Sequence, residues 1–206
     1  RDPDSRNGVM TGAVLAGGDS TRMGTNKALL PFGGVRIIER IIRRIRPLFA
    51  EILIVANEPD PYADLGLPIF PDRIQGKGPL GGIYSAVFHS ASPHTFCVAC
   101  DMPLLNPAVV AYVRDMAVGY DVVVPRTPDG YQPLHAVYSK ACLAHMESMI
   151  RNDRLKIDRL FPAVRVRVVT EEELRPMDSG LDCFVNVNTR EELEAVARLA
   201  AGGKEA

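Results

Sequence analysis

Short apolar runs recur along the chain, and between them lie stretches of helical spacing or clusters of Gly and Pro. Residues 13–16 form a first short apolar strand. Residues 51–56 and 95–100 are near-continuously apolar, the pattern of parallel strands buried on both faces. Residues 121–124 make another strand, Pro128-Asp129-Gly130 a turn, and 134–138 the returning partner. In 164–169 the apolar positions alternate with Arg165 and Arg167, which predicts a half-buried or edge strand. Ile37, Ile38, Ile41, Ile42 and Ile45 recur at helical spacing, and Pro47 limits that helix. Further helices are predicted over about 83–89, from Pro107 to about 118, over 140–152, and from a Thr189 cap to about 200. Residues 58–68 read as a loop with at most one helical turn, 68–71 as a short extended piece delivering Asp72, and 183–189 as the segment that closes the body.

Strands alternating with helices predict an α/β protein: a single-domain, three-layer α/β/α sandwich with a mostly parallel, Rossmann-like sheet. The 206 residues suffice for one sizeable core, expected over 9–201, with tails at 1–8 (an added or frayed end) and 202–206. A net charge of −1 gives no global field toward nucleic acid or membrane, and neither is expected as a partner. No apolar run approaches the roughly 18 residues of a membrane span, and no secretory signal pattern is present. Four cysteines do not make a disulfide framework here, which points to a reducing cytoplasm. Cys97 and Cys100 spell Cys-x-x-Cys, but within a strand they point to opposite faces and belong to the core. Arg40, Arg43, Arg44 and Arg46 are expected to form a solvated helix face.

The densest chemistry lies in Thr11-Gly12-Ala13-Val14-Leu15-Ala16-Gly17-Gly18-Asp19-Ser20-Thr21-Arg22-Met23-Gly24-Thr25-Asn26-Lys27. Glycines let backbone N–H groups turn toward an anion, and Arg22 and Lys27 supply two cations suited to a polyphosphate. The stretch is neither a Walker loop nor a dinucleotide fingerprint, because Thr25 and Asn26 separate Gly24 from Lys27 and no Gly-x-Gly-x-x-Gly occurs. A second glycine-rich loop, 75–82, precedes a helix amino terminus, another place for an anion or a base edge. Asp101 follows an apolar strand and would project into the crevice above the sheet, where it could hold Mg²⁺ with substrate phosphates or serve as a plain turn residue. Asp72 could bind a base, ribose or metal-bound water, or cap a loop. Asn186 and Asn188, two apart, face the same way on an extended backbone and could serve the metal, a second substrate, or packing before the cap. His135 could line a pocket or be a satisfied structural histidine. Gly-x-Ser-x-Gly is absent, so nothing suggests a serine nucleophile.

Residues 15–27 closely resemble the Leu-Ala-Gly-Gly-x-Ser-x-Arg-Met-Gly-x-x-Lys signature of nucleotidyltransferases of the nucleotide-diphospho-sugar transferase type. With Gly78-Pro79-Leu80-Gly81-Gly82, Cys100-Asp101-Met102-Pro103 and Phe184-Val185-Asn186-Val187-Asn188-Thr189, the chain resembles the molybdenum cofactor guanylyltransferases from residue 11 to about 196. That resemblance implies transfer of GMP from GTP to molybdopterin with release of pyrophosphate. It implies GTP contacts at Leu15, Ala16, Gly17, Gly18, Lys27, Asp72, Gly78, Pro79, Leu80 and Asp101, with Lys27, Arg22 and Asp101 acting in catalysis. Asp101 would ligate Mg²⁺ (or Mn²⁺), and Asn186 and Asn188 would lie toward molybdopterin. A molybdenum-insertion protein, a cofactor chaperone or an apo-molybdoenzyme would be the protein partners. Arg190, where the family often has Pro, and Val55, at a position often polar in relatives, depart from the pattern. A cytidylyltransferase using CTP is the nearest alternative, disfavoured by Ala16-Gly17-Gly18 where that relative typically has Leu-Ala-Ala-Gly. A cofactor-delivery adaptor is the alternative outside enzymes.

Overall fold

The isoleucine spacing of residues 37–45 builds helix α1 (Ile37–Ile45), and all of its isoleucines are buried. They pack against one face of a sheet whose strands are apolar on both sides, so alternate strand residues serve opposite cores. Val14, Ile52, Ile54, Phe96 and Val98 join the cluster on the α1 side, while Ala13, Leu15, Leu53, Val55 and Cys97 join the other. The structure, a computed structural model, describes residues 10–17 and 26–202, with side chains to residue 198.

The elements in chain order are β1 (Thr11–Leu15), a short hairpin β2 (Pro31–Phe32) and β3 (Val35–Arg36), α1, β4 (Glu51–Val55) and β5 (Ile69–Phe70). Then come α2 (Gly78–His89), β6 (His94–Ala99), α3 (Pro107–Asp115), β7 (Val122–Thr127), β8 (Gly130–Tyr131) and β9 (His135–Ser139). The chain ends with α4 (Leu143–Arg151), β10 (Val166–Val169), α5 (Glu171–Leu174) and α6 (Arg190–Gly202). Sheet order is β10-β7-β9-β6-β1-β4-β5, with β8 paired to β7. β1 is parallel to both β4 and β6, and β9 is antiparallel to both β6 and β7. Helices α1, α3 and α6 cover one face, and α2 and α4 the other. The expected three-layer, mostly parallel sandwich is what forms. Cys97 and Cys100 fall in opposite core clusters, all four cysteines are buried and free, and among the described residues no helix is long and apolar enough to cross a membrane.

Three local expectations are corrected, and two further segments gain a definite shape. The 31–36 segment is a hairpin, closed by Gly33 and Gly34 at φ 61° and 85°, a turn open to glycine. The 58–68 loop holds a longer 3-10 segment, Asp60–Leu65. Helix α2 begins at Gly78, not near 83, because the chain enters it through left-handed Gly76 and Gly78 with Pro79 in the first turn. The closing segment at 183–189 takes the form of a 3-10 turn, Asp182–Phe184, followed by an extended stretch. Finally, Arg40 and Arg44 are not part of a solvated face. Arg40 Nε donates to the Pro103 carbonyl (3.0 Å), its guanidinium lies over the Phe32 ring, and Arg44 donates to the Leu105 carbonyl. Helix α1 thereby holds the turn that follows β6.

The edge strand β10 is latched by two ion pairs. The Asp121 carboxylate accepts from the Arg165 backbone N–H and guanidinium (3.0–3.1 Å), which holds its pKa down from 3.8 to about 2. Glu173 is likewise lowered from 4.5 to about 2, chiefly by Arg167, with Tyr112 also donating to it. Both acids remain ionised in the fold where the unfolded chain takes up protons. Their stabilisation is therefore complete above their ordinary values and is lost as pH falls toward 2. The double variant Asp121→Asn/Glu173→Gln is expected to melt lower at neutral pH and to lose less stability than the parent between pH 4.5 and 2. An unchanged acid limb in thermal melts would contradict the latch.

Candidate active site

Parallel pairing brings four strand ends to one level. Leu15 is in register with Val55 on one side and Ala99 on the other, and Val55 with Phe70. Two residues beyond each lie Gly17, Asn57, Asp101 and Asp72. The chain moves from β1 outward through β4 and β5, then returns to lay β6 on the opposite side of β1. Such a reversal of strand order opens a crevice at the carboxyl ends, where open α/β sheets bind ligands.

Asp101 occupies the turn after β6. Its Oδ1 is buried without a hydrogen-bond partner, and burial pushes its carboxyl up while its own backbone N–H and the Lys27 charge pull it back. Lys27 begins a 3-10 turn, Lys27–Leu29, capped by Asn26, whose Oδ1 accepts from Ala28 N–H at 3.1 Å. Lys27 Nζ donates to Asn188 Oδ1 at 2.8 Å, and Val187 N–H donates to the Asp101 carbonyl at 2.8 Å. Asp101, Lys27 and Asn188, distant in sequence, are thus brought together. Asn186 and Asn188 are both exposed on either side of buried Val187, as the two-residue spacing predicts.

Asp72 is the second carboxylate above the sheet. Its backbone N–H donates to Asn57 Oδ1 (2.8 Å), and Asn57 Nδ2 donates back to Oδ2 (3.1 Å). Its Oδ1 is buried and unpartnered, and burial raises its carboxyl. Asn57 was visible in the sequence only as a strand-end residue; the reciprocal pairing needs the register of β4 and β5. Gly78 and Pro79 are exposed at the start of α2, but Leu80 is fully buried, so only its backbone can meet a ligand. Leu15 is buried too, and Gly17 is open to solvent. Arg22 and Gly18 lie outside the described residues. His135 is fully buried, packed on Phe96 and Phe184, with neither ring nitrogen hydrogen-bonded; burial lowers its pKa to about 3. It is a neutral core side chain, not a satisfied one.

A cavity of about 650 Å³ lies elsewhere, lined by residues including Met149, Arg154, Leu155, Arg159 and Pro162. None of the predicted site residues lines it. The crevice over β1 and β6 is the better candidate because Asp101 and Lys27 meet there, with Asp72 at the same level beyond β4. Among the described residues no cluster of three metal-ligating side chains occurs. One carboxylate with a free buried oxygen suits a divalent cation that draws its remaining ligands from water and phosphate.

The profile of the MobA-like NTP transferase domain matches residues 12–168. The chain belongs to the MobA-like NTP transferase family. A Pelotomaculum thermopropionicum protein named probable molybdenum cofactor guanylyltransferase is 42% identical over 183 residues, 89% of each chain. A Desulfosudis oleivorans protein named molybdenum cofactor guanylyltransferase is 36% identical over 197 residues, 94% of this chain and 98% of its own. The crystal structure of molybdopterin-guanine dinucleotide biosynthesis protein A from Archaeoglobus fulgidus superposes with a TM-score of 0.80 at 26% identity, covering 94% of this chain and all of that one. The nucleotidyltransferase class and fold type expected from the motifs are borne out by this MobA-like membership.

Within α2, Gly81 and Gly82 make different demands. A Cβ on Gly81 would meet Lys77 Cβ at 3.0 Å and the Ile74 carbonyl at 3.4 Å, whereas one on Gly82 would meet Leu15 at 3.6 Å and Asp72 Oδ1 at 4.0 Å. Alanine is favoured over glycine in a helix by up to about 1 kcal/mol where space allows. Gly82→Ala is therefore expected to melt at a higher temperature than Gly81→Ala. The reverse order in thermal denaturation would contradict the packing of α2 at these positions.

Proposed function

We propose that this protein transfers the GMP moiety of GTP to molybdopterin, forming molybdopterin guanine dinucleotide and releasing pyrophosphate. The observation that carries the reading is the meeting of Asp101 and Lys27 above the strand-order reversal. There a buried carboxylate oxygen lacks a partner within reach of a cation's field. The names of the relatives support guanine as the base and molybdopterin as the acceptor.

In this reaction an oxygen of the molybdopterin terminal phosphate bonds to the α-phosphorus of GTP. The bond from that phosphorus to the bridging β-oxygen breaks, and its electrons leave with pyrophosphate. The nucleophile is already ionised near neutrality, so the protein needs no general base. Its work is positioning and charge neutralisation. Ala16 N–H is taken by the Val55 carbonyl (2.9 Å), so the triphosphate is received by the backbone beyond it, at Gly17 and Gly18, with Leu15 and Ala16 lining the approach, and Lys27 Nζ exchanges its bond to Asn188 for a phosphate oxygen. Arg22 contributes a second cation. Asp72, steadied by Asn57, and the first turn of α2 at Gly78, Pro79 and Leu80 hold the nucleoside. Asn186 and Asn188 face the acceptor. A divalent cation, Mg²⁺ or Mn²⁺, held by Asp101 would supply further neutralisation of the phosphates.

The test measures turnover and nucleotide preference. With GTP, molybdopterin and Mg²⁺, release of pyrophosphate is expected, and CTP and ATP are expected to give a small fraction of that rate. Asp101→Asn and Lys27→Ala should each lower kcat by about 10²-fold or more, as loss of a preorganised electrostatic group does elsewhere. Near-parental turnover in either variant overturns the catalytic role of the residue replaced. Equal rates with all three nucleotides overturn the guanine assignment, and GTP binding without pyrophosphate release overturns the reaction itself.

A further inference from the structure

Tyr62 attracts no notice in the sequence, where it sits in a Pro- and Asp-rich stretch between β4 and β5. In the fold it is 1% exposed, within the 3-10 segment Asp60–Leu65. Its hydroxyl donates to the Ala16 carbonyl at 3.1 Å and accepts from Asn26 Nδ2 at 2.7 Å. Ala16 is the first residue past β1, and Asn26 is the residue before Lys27. One phenol oxygen therefore joins the two ends of the glycine-rich stretch that carries Gly17, Gly18 and Arg22. Asn26 continues the path, because its Oδ1 caps the turn that bears Lys27.

The support behind Tyr62 is independent of any ligand. Arg36, at the start of α1, donates to the Pro61 carbonyl at 3.2 Å and pairs with Asp64 at 2.5 Å, holding the segment on both sides of Tyr62. Burial raises the phenol, so it stays protonated and can donate. A phenylalanine would fill the same core volume. It would leave the Ala16 carbonyl and the Asn26 amide without this partner. The hydroxyl is thus required by the two loop ends and not by packing.

We propose that Tyr62 is a positioning residue for nucleotidyl transfer: its hydroxyl closes the neck of the nucleotide loop and sets where Lys27 stands relative to Ala16 and Asp101. This rests on Lys27 serving the transfer of GMP. Transfer between two phosphates depends on placement to within about an ångström, and misplacement by that much costs on the order of 10²-fold. Loss of one of the bonds at the neck should cost less, about tenfold.

The experiment is a double-mutant cycle on the full chain, read as kcat/KM for GTP and as equilibrium GTP binding. Tyr62→Phe is expected to lower kcat/KM about tenfold, with circular dichroism unchanged. Lys27→Ala is expected to lower it about 10²-fold, and the double variant to match Lys27→Ala alone. Should Tyr62→Phe fold poorly, Asn26→Ser replaces it. Serine keeps a capping oxygen for the turn but is too short to donate to Tyr62. Additive losses, about 10³-fold in the double variant, or parental activity in Tyr62→Phe, would show that the phenol does not act through Lys27. They would leave the proposed reaction standing. Parental activity in Lys27→Ala would instead bring down both.

Discussion

The hydrogen-bond register of β1 with β4 and β6 is the constraint on which the site depends. Leu15 sits level with Val55 and Ala99, so the residues two beyond each strand end emerge side by side. A slip of one residue would turn every side chain to the opposite face. Here both faces are packed, with Val14 in one core and Ala13 and Leu15 in the other, and a slip would disrupt both. The apolar strands that stabilise the sheet are therefore also what sets Asp101 and Asp72 at one level beyond its carboxyl ends.

Above the sheet the balance reverses. Asp101 and Asp72 each carry a buried oxygen without a partner, and burial disfavours the charge on both. Removing a carboxylate from water is costly unless a cation or donor replaces the water. The fold offsets this chiefly around the carboxylates, with one direct bond from Asn57 Nδ2 to Asp72 Oδ2. Val187 N–H takes the Asp101 carbonyl, Arg40 and Arg44 take the carbonyls of Pro103 and Leu105, and Asn57 brackets Asp72. The backbone of each turn is fixed while one carboxylate oxygen stays available.

Contacts far apart in sequence complete the arrangement. Residues 187 and 188 return from the end of the chain to touch Asp101 and Lys27. Tyr62 reaches across from the loop after β4 to Ala16 and Asn26. Arg40 spans the hairpin at Phe32 and the turn at Pro103, linking the segment after Lys27 to the segment after Asp101. Each joins groups that lie far apart in the sequence, so apolar periodicity alone does not reveal it.

The sequence by itself determined the strands, most of the helices, the glycine-rich loop and the identity of Asp101, Asp72 and Lys27 as candidates. Apolar period, turn residues and caps are local, and Thr189 could be read as the last helix's cap because its partner, Glu192, lies one turn away. The tertiary structure alone decided that β9 inserts between β6 and β7, that Arg40 and Arg44 face inward, that α2 starts at Gly78, that Asn57 bonds Asp72, and that Tyr62 bonds Ala16 and Asn26. Those outcomes depend on which distant carbonyl a donor meets. A buried donor goes to whatever acceptor the strand register places within reach, and register is a property of pairs of strands that no single stretch of sequence contains.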